Sequence, residues 1–207
     1  MKIISLKSCC LILLTSFFLF SCKTVLLKVK GVKDPKIETY SSSKKYLHKN
    51  NIDTTRLVYF KDLNSFGRAS KKKLLQIPNA YFFDKNGNFV DYRKSATDCN
   101  AKVDDFIQDL NTFDEAKKDS TKTLTELKRF LASSNKNLLY EKPGEITVFI
   151  TWARYIGALN REKAFDWVKL LEEAKQKGVS VKYYLLNCDF QEKWNLTKEE
   201  KEALGVN

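Results

Sequence analysis

The chain is poor in the residues that most often carry chemistry. Of its 207 residues, one is histidine, seven are glycine and three are proline. With His48 alone, a histidine-rich metal site is excluded, and a Ser-His-Asp hydrolase would have to use that residue. No Gly-x-Ser-x-Gly elbow accompanies it, and His48 sits in "KYLHKNN", where a solvated helix position is the expectation. The few glycines form no phosphate-binding loop. No two of the five cysteines have Cys-x-x-Cys spacing, so the usual attacking and resolving thiol pair is missing. Internal repeats, low-complexity tracts and long linkers are absent too. What remains is 43% hydrophobic and 13% aromatic. That is enough for a true core, in one ordinary domain or two small ones.

The first residues read as a targeting segment. Met1-Lys2 and Lys7 form a positive start, and residues 8–20, "SCCLILLTSFFLF", are apolar over a length short for a membrane span. Leu19-Phe20-Ser21-Cys22 follows and resembles a bacterial lipobox. The resemblance implies cleavage before Cys22 and lipid attachment, palmitate included, on that residue; Phe20 departs from the small residue commoner there. An uncleaved signal anchor is the other reading. The implied domains are a signal peptide over 1–21, an anchor and lead-in over 22–36, and one α/β domain over 37–207. Several acyl chains, at about 0.8 kcal/mol per buried methylene, would hold such a chain on a membrane. Lys23 and Thr24 are not the acidic run of a surface-export signal, so the expected location is the envelope, facing the periplasm.

The formal charge is +12. On an exported lipoprotein this reads as a solvated basic surface near anionic lipid. Nucleic acid is the other partner of a basic chain, but no helix-turn-helix or RNA-binding signature is present, and none is expected as a partner. By the lipobox resemblance Cys9 and Cys10 would leave with the signal and Cys22 would be acylated, which leaves Cys99 and Cys188. Export places them where they could pair. Cys188 directly follows a β-like run, and Cys99 precedes a helix whose dipole would favour a thiolate.

Strand-like runs lie at 56–60, 80–84, 89–93, 146–152 and 180–186, with 146–152 apolar at nearly every position and so expected at the centre of one sheet. Asn86-Gly87 predicts a two-residue type I′ hairpin turn. Asp84, Asn86 and Asn88 imitate the start of a calcium loop, but Phe89 and Ser95 stand where Gly and Glu are required. Helical periodicity predicts helices near 65–76, 103–110, 120–134 and 161–177, the last capped by Gly178, with a further one in the tail. The carboxylate pairs Asp104-Asp105, Asp114-Glu115 and Glu172-Glu173 fall on polar helix faces, where solvation is expected.

Two stretches carry a family resemblance. "PGEITVFITWARYIGALN" is similar to the active-site segment of the thioredoxin family, in which a buried strand ends in Trp-Ala before a Cys-Gly-Pro-Cys helix start. Trp152-Ala153 match, Gly157 takes the glycine, and Ile156 and Leu159 stand where the cysteines would be. "RLVYFKDLNSFGRASKKKLLQIPNAYFFDKNGNFVDYR" resembles that family's second half, with Pro78 as its cis-proline. Here the second half precedes the first. The resemblance implies a thioredoxin-like three-layer α/β sandwich, circularly permuted, with a mixed sheet of about five strands flanked by helices. A related sandwich reached independently is the alternative. It also implies no dithiol chemistry and no cofactor. The expected function is a membrane-anchored binding or scaffold module, with Pro78, Arg154, Tyr155 and Ile156 as the candidate loop for a protein or peptide. Arg154 and Tyr155 are expected to be exposed there. The rivals are a single-thiol oxidoreductase using Cys188 or Cys99, and a structural envelope protein with no discrete ligand.

Overall fold

A computed structural model describes residues 29–93, 102–110, 113, 116–135, 138 and 144–206. Cys22 and Cys99 lie outside them, as do the signal segment and Asp114-Glu115. The elements in order are β1 (Ile37–Glu38), α1 (Tyr40–Lys49), β2 (Leu57–Phe60), α2 (Leu63–Lys71), β3 (Asn79–Phe83), β4 (Asn88–Asp91), α3 (Val103–Gln108), β5 (Lys117–Thr123), α4 (Leu124–Phe130), β6 (Leu131–Ala132), β7 (Ile146–Trp152), α5 (Phe165–Gln176), β8 (Val181–Asn187), β9 (Phe190–Gln191) and α6 (Lys198–Leu204).

Seven strands form one mixed sheet in the order β5-β4-β3-β7-β8-β2-β6. β7, β8 and β2 run parallel, while β3 lies antiparallel on the other side of β7. The five expected strands therefore share a sheet with 146–152 at its middle. The sheet is wider than the expected five because β5 and β6 flank it. Alternation along β7 builds both cores. Val148, Ile150 and Trp152 join α1, α3 and α5 on one face, while Phe149 joins α2 and α4 on the other. This is a three-layer α/β sandwich with buried side chains on both faces of its central strand.

Local chemistry moved several boundaries. The helix expected over 120–134 is instead strand β5 followed by α4. "KKDSTKT" has no apolar stripe to bury, and it pairs along β4; the Thr123 hydroxyl then caps α4 by accepting from the Glu126 N–H at 3.2 Å. α2 begins at Leu63, not near 65, because the Asp62 carboxylate accepts from the Ser65 N–H. The tail helix is confined to α6 by a Thr197–Glu200 capping box. The helix expected at 161–177 opens with a π-turn over Asn160–Ala164 before α5, and Gly178 follows it at a φ of 89° as expected.

The hairpin turn is of a different type from the one Asn86-Gly87 predicts. A type I′ turn needs positive φ at both residues, yet only Gly87 has it, at 85°. The Gly87 N–H donates to the Asp84 carbonyl at 2.8 Å, and the Asp84 N–H donates to the Asn88 carbonyl at 2.9 Å. This is a three-residue loop closed by a left-handed glycine. Its cause is the Asp84 carboxylate, 2% exposed, which accepts from the Asn86 and Asn88 N–H groups at 2.9 and 2.8 Å. The Asp-Asn-Asn spacing is thus turn chemistry, as the missing Gly and Glu imply.

Candidate functional site

At the end of the central strand, the candidate residues among those described converge. Beyond Trp152, Ala153 is fully buried and a 3-10 turn spans Arg154–Ile156. Gly157 then takes a φ of 60° and hands the chain to the π-turn. β3 pairs Asn79 with Thr151, so Pro78 stands beside the same corner, and the Ile77–Pro78 peptide is cis. Thr151 ties the two segments: its hydroxyl donates to the Gln76 carbonyl at 2.6 Å and accepts from the Asn79 N–H at 2.8 Å. The four binding-loop candidates therefore do lie together.

They do not form the open loop expected. Pro78 is buried, Ile156 is 5% exposed, and Arg154 and Tyr155 are half-buried. The Tyr155 hydroxyl is pushed well above the ordinary tyrosine range, first by desolvation and then by Cys188 and Asp189. The cover is the chain's own lead-in. The Ala158 N–H donates to the Lys30 carbonyl and the Lys33 N–H to the Tyr155 carbonyl, each at 2.8 Å. β1 then lies parallel beside β9, Glu38 pairs with the Arg154 guanidinium, and Lys30 pairs with Glu162 at 2.6 Å. Gly157 is required by this contact as well as by its φ: a Cβ there would lie 2.3 Å from the Gly31 oxygen.

Behind the corner sits a buried polar cluster. Both carboxylate oxygens of Asp189 accept from the Arg154 N–H, at 2.9 and 3.0 Å, and one also accepts from the Asn187 amide at 2.8 Å. Asn187 in turn accepts from the Gln191 amide at 2.7 Å. Burial pushes the Asp189 carboxyl up to about 6, with Glu38 adding to the effect and the Arg154 and Asn187 hydrogen bonds opposing it. On the helical side, Tyr46 stacks on Trp152 with ring centroids 5.7 Å apart. Asn160, fully buried, donates to the Ala153 carbonyl at 2.8 Å and to the Tyr46 hydroxyl at 3.0 Å.

Of the two thiol candidates only Cys188 lies among the described residues, and it forms no reactive centre. Cys188 does reach the corner, its N–H donating to the Trp152 carbonyl at 2.8 Å. Its thiol is free but 1% exposed, and desolvation, then the neighbouring Asp189, raises it well above the usual range. Such a thiol stays protonated and inert. His48 is exposed on the last turn of α1. Among the described residues no group of three or more His, Cys, Asp or Glu converges as a metal site, and no helix is long and apolar enough to cross a membrane. Asp104 is not simply solvated: it accepts from the Trp167 indole of α5 and from Lys163 of the π-turn at 2.9 Å, tying α3 to both.

Reading along the chain missed Glu38, Asn160 and Asp189. The only linear trace of the last is a polar Asn-Cys-Asp run ending an apolar strand. No family model, no curated protein and no solved structure matches the chain.

Proposed function

We propose that the chain is a lipid-anchored bacterial envelope protein whose thioredoxin-like, permuted domain is redox-inactive and works by binding a protein or peptide partner. One observation carries the binding half of this reading. The strand-to-helix corner, where a thioredoxin would hold its two cysteines, contains no sulfur in its loop, and the one thiol behind it is buried and protonated. The parallel β7–α5–β8 unit, with the β3–β4 hairpin antiparallel beside β7, supports the family reading. The anchoring half rests on Leu19-Phe20-Ser21-Cys22. Membrane contact is then through the lipid on Cys22, with no cofactor and no nucleic acid involved.

Two measurements test it. The purified chain should not accelerate reduction of insulin disulfides by dithiothreitol at any pH from 6 to 8. The loop holds no Cys-x-x-Cys pair whose second thiol would resolve a mixed disulfide. Catalytic reduction that is lost in Cys188→Ser or Cys99→Ser would replace the binding reading with the single-thiol enzyme. Separately, Cys22→Ala should move the protein from the membrane fraction to the soluble one, or leave it as an unprocessed precursor. Unchanged fractionation with a mature N-terminus elsewhere would end the lipoprotein reading.

A further inference from the structure

The lead-in behaves as a ligand of the corner rather than as part of the core. Residues 30–36 are exposed or half-buried throughout, and the apolar contact of residues 30–38 is that of Ile37 with the cluster of Phe190, Leu196 and Val206. What holds them is recognition of a kind that another chain could reproduce. Two backbone hydrogen bonds at 2.8 Å join them to Tyr155 and Ala158, and β1 adds a short parallel bridge to β9. Ion pairs clasp each end, Lys30 on Glu162 and Glu38 on Arg154. Backbone pairing for affinity with side-chain selection at fixed points is how extended peptides add to a sheet edge.

The groove also states what it accepts. At Gly157 the lead-in backbone comes so close that a Cβ on the groove would sit 2.3 Å from an oxygen of the strap. The occupant must therefore cross with its backbone pressed against the corner, and here it does so as Lys30-Gly31, with Gly31 at a φ of 69°. Glu38 follows seven positions after Gly31 and meets a guanidinium whose Nε is buried without another partner.

We infer that the cleft formed by the 154–158 corner, Glu162 and β9 is a peptide-binding groove, held closed by the chain's own residues 30–38. The partner it fits is an extended segment of another protein, with a basic residue and glycine at the corner and a carboxylate placed to meet Arg154. This rests on the binding reading above and names the surface and partner that reading requires. The strap competes with the partner in cis, so apparent affinity falls by the fraction of chains with the groove open.

The test uses the full-length chain in detergent and a fluorescent synthetic peptide spanning residues 29–39. Lys30→Ala with Glu38→Ala weakens the strap and leaves every groove residue intact. Both ion pairs that clasp the strap are then lost, so this chain should bind the peptide about tenfold tighter than the unmodified one. Adding Gly157→Val should abolish that binding. Amide exchange gives a second reading on the unmodified protein: the Lys33 and Ala158 N–H groups should exchange far faster than those of β7. Equal binding to both chains, binding to neither, or exchange at Ala158 as slow as in β7 would overturn the groove. None of these outcomes touches insulin reduction, which alone decides between binding module and enzyme.

Discussion

Trp152→Ala is expected to lower the unfolding free energy by about 3–5 kcal/mol, the usual cost of deleting a buried aromatic. Trp152 is 0% exposed, the last residue of the central strand, and packed between aromatic neighbours on two helices. Tyr46 of α1 lies parallel to it at 5.7 Å, and Phe165 of α5 lies at 6.2 Å. Loss of the indole opens a void where the strand, both helices and the corner meet, and close-packed surroundings relax only partly into such a void. A domain of this size has about 5–15 kcal/mol in total, so the variant is near the edge of folding. Trp152→Phe should cost far less. It keeps a ring against Tyr46 and removes an indole N–H that has no acceptor, a group that is costly to bury. Urea denaturation followed by circular dichroism distinguishes the outcomes. An alanine variant within about 1 kcal/mol of the parent would show that the stack carries little stability.

The second large effect is on pH dependence and is centred on Asp189. Its folded pKa, about 6, lies above the ordinary aspartate value of 3.8. Between these values the folded state holds a proton that the unfolded state has lost, so stability falls as pH rises. The contribution is fully present below pH 4 and is lost as pH passes through 6. A difference of about two units corresponds to about 3 kcal/mol. The charged groups around this carboxyl are Glu38, which opposes ionisation, and Arg154, which favours it; Cys188 beside it stays neutral. Asp189→Asn keeps an oxygen for the Arg154 N–H and does not titrate. Relative to the variant, the parent should therefore lose up to about 3 kcal/mol between pH 4 and pH 8 in urea titrations. Parallel profiles for the two proteins would mean that Asp189 titrates near its ordinary value.

The sandwich was legible because its evidence is local. "ITVFITW" is apolar at successive positions, and only a strand covered on both sides accommodates that. The stripe of Phe165, Val168, Leu171 and Ala174 could only be a helix on that sheet. The boundaries were less legible because single side chains set them. Asp62 and Thr123 each satisfy one N–H and thereby move a helix start, and Asp84 changes a turn type with two. Periodicity averages over many residues and does not register one hydrogen bond.

The corner divides the same way. Sequence alone determined that no dithiol stands there, since Ile156 and Leu159 are simply not cysteines, and it placed Trp152, Gly157 and Pro78 in one neighbourhood through resemblance. Only the tertiary structure decided that the corner is covered. Lys30 and Ala158 lie far apart in the chain, as do Glu38 and Arg154, and nothing in either segment marks its partner. Their meeting depends on where β7 ends relative to β9, which follows from how the sheet and its flanking helices pack together. The same packing removes water from Asp189 and Cys188, and it is dehydration, not residue type, that leaves one titrating near neutrality and the other inert.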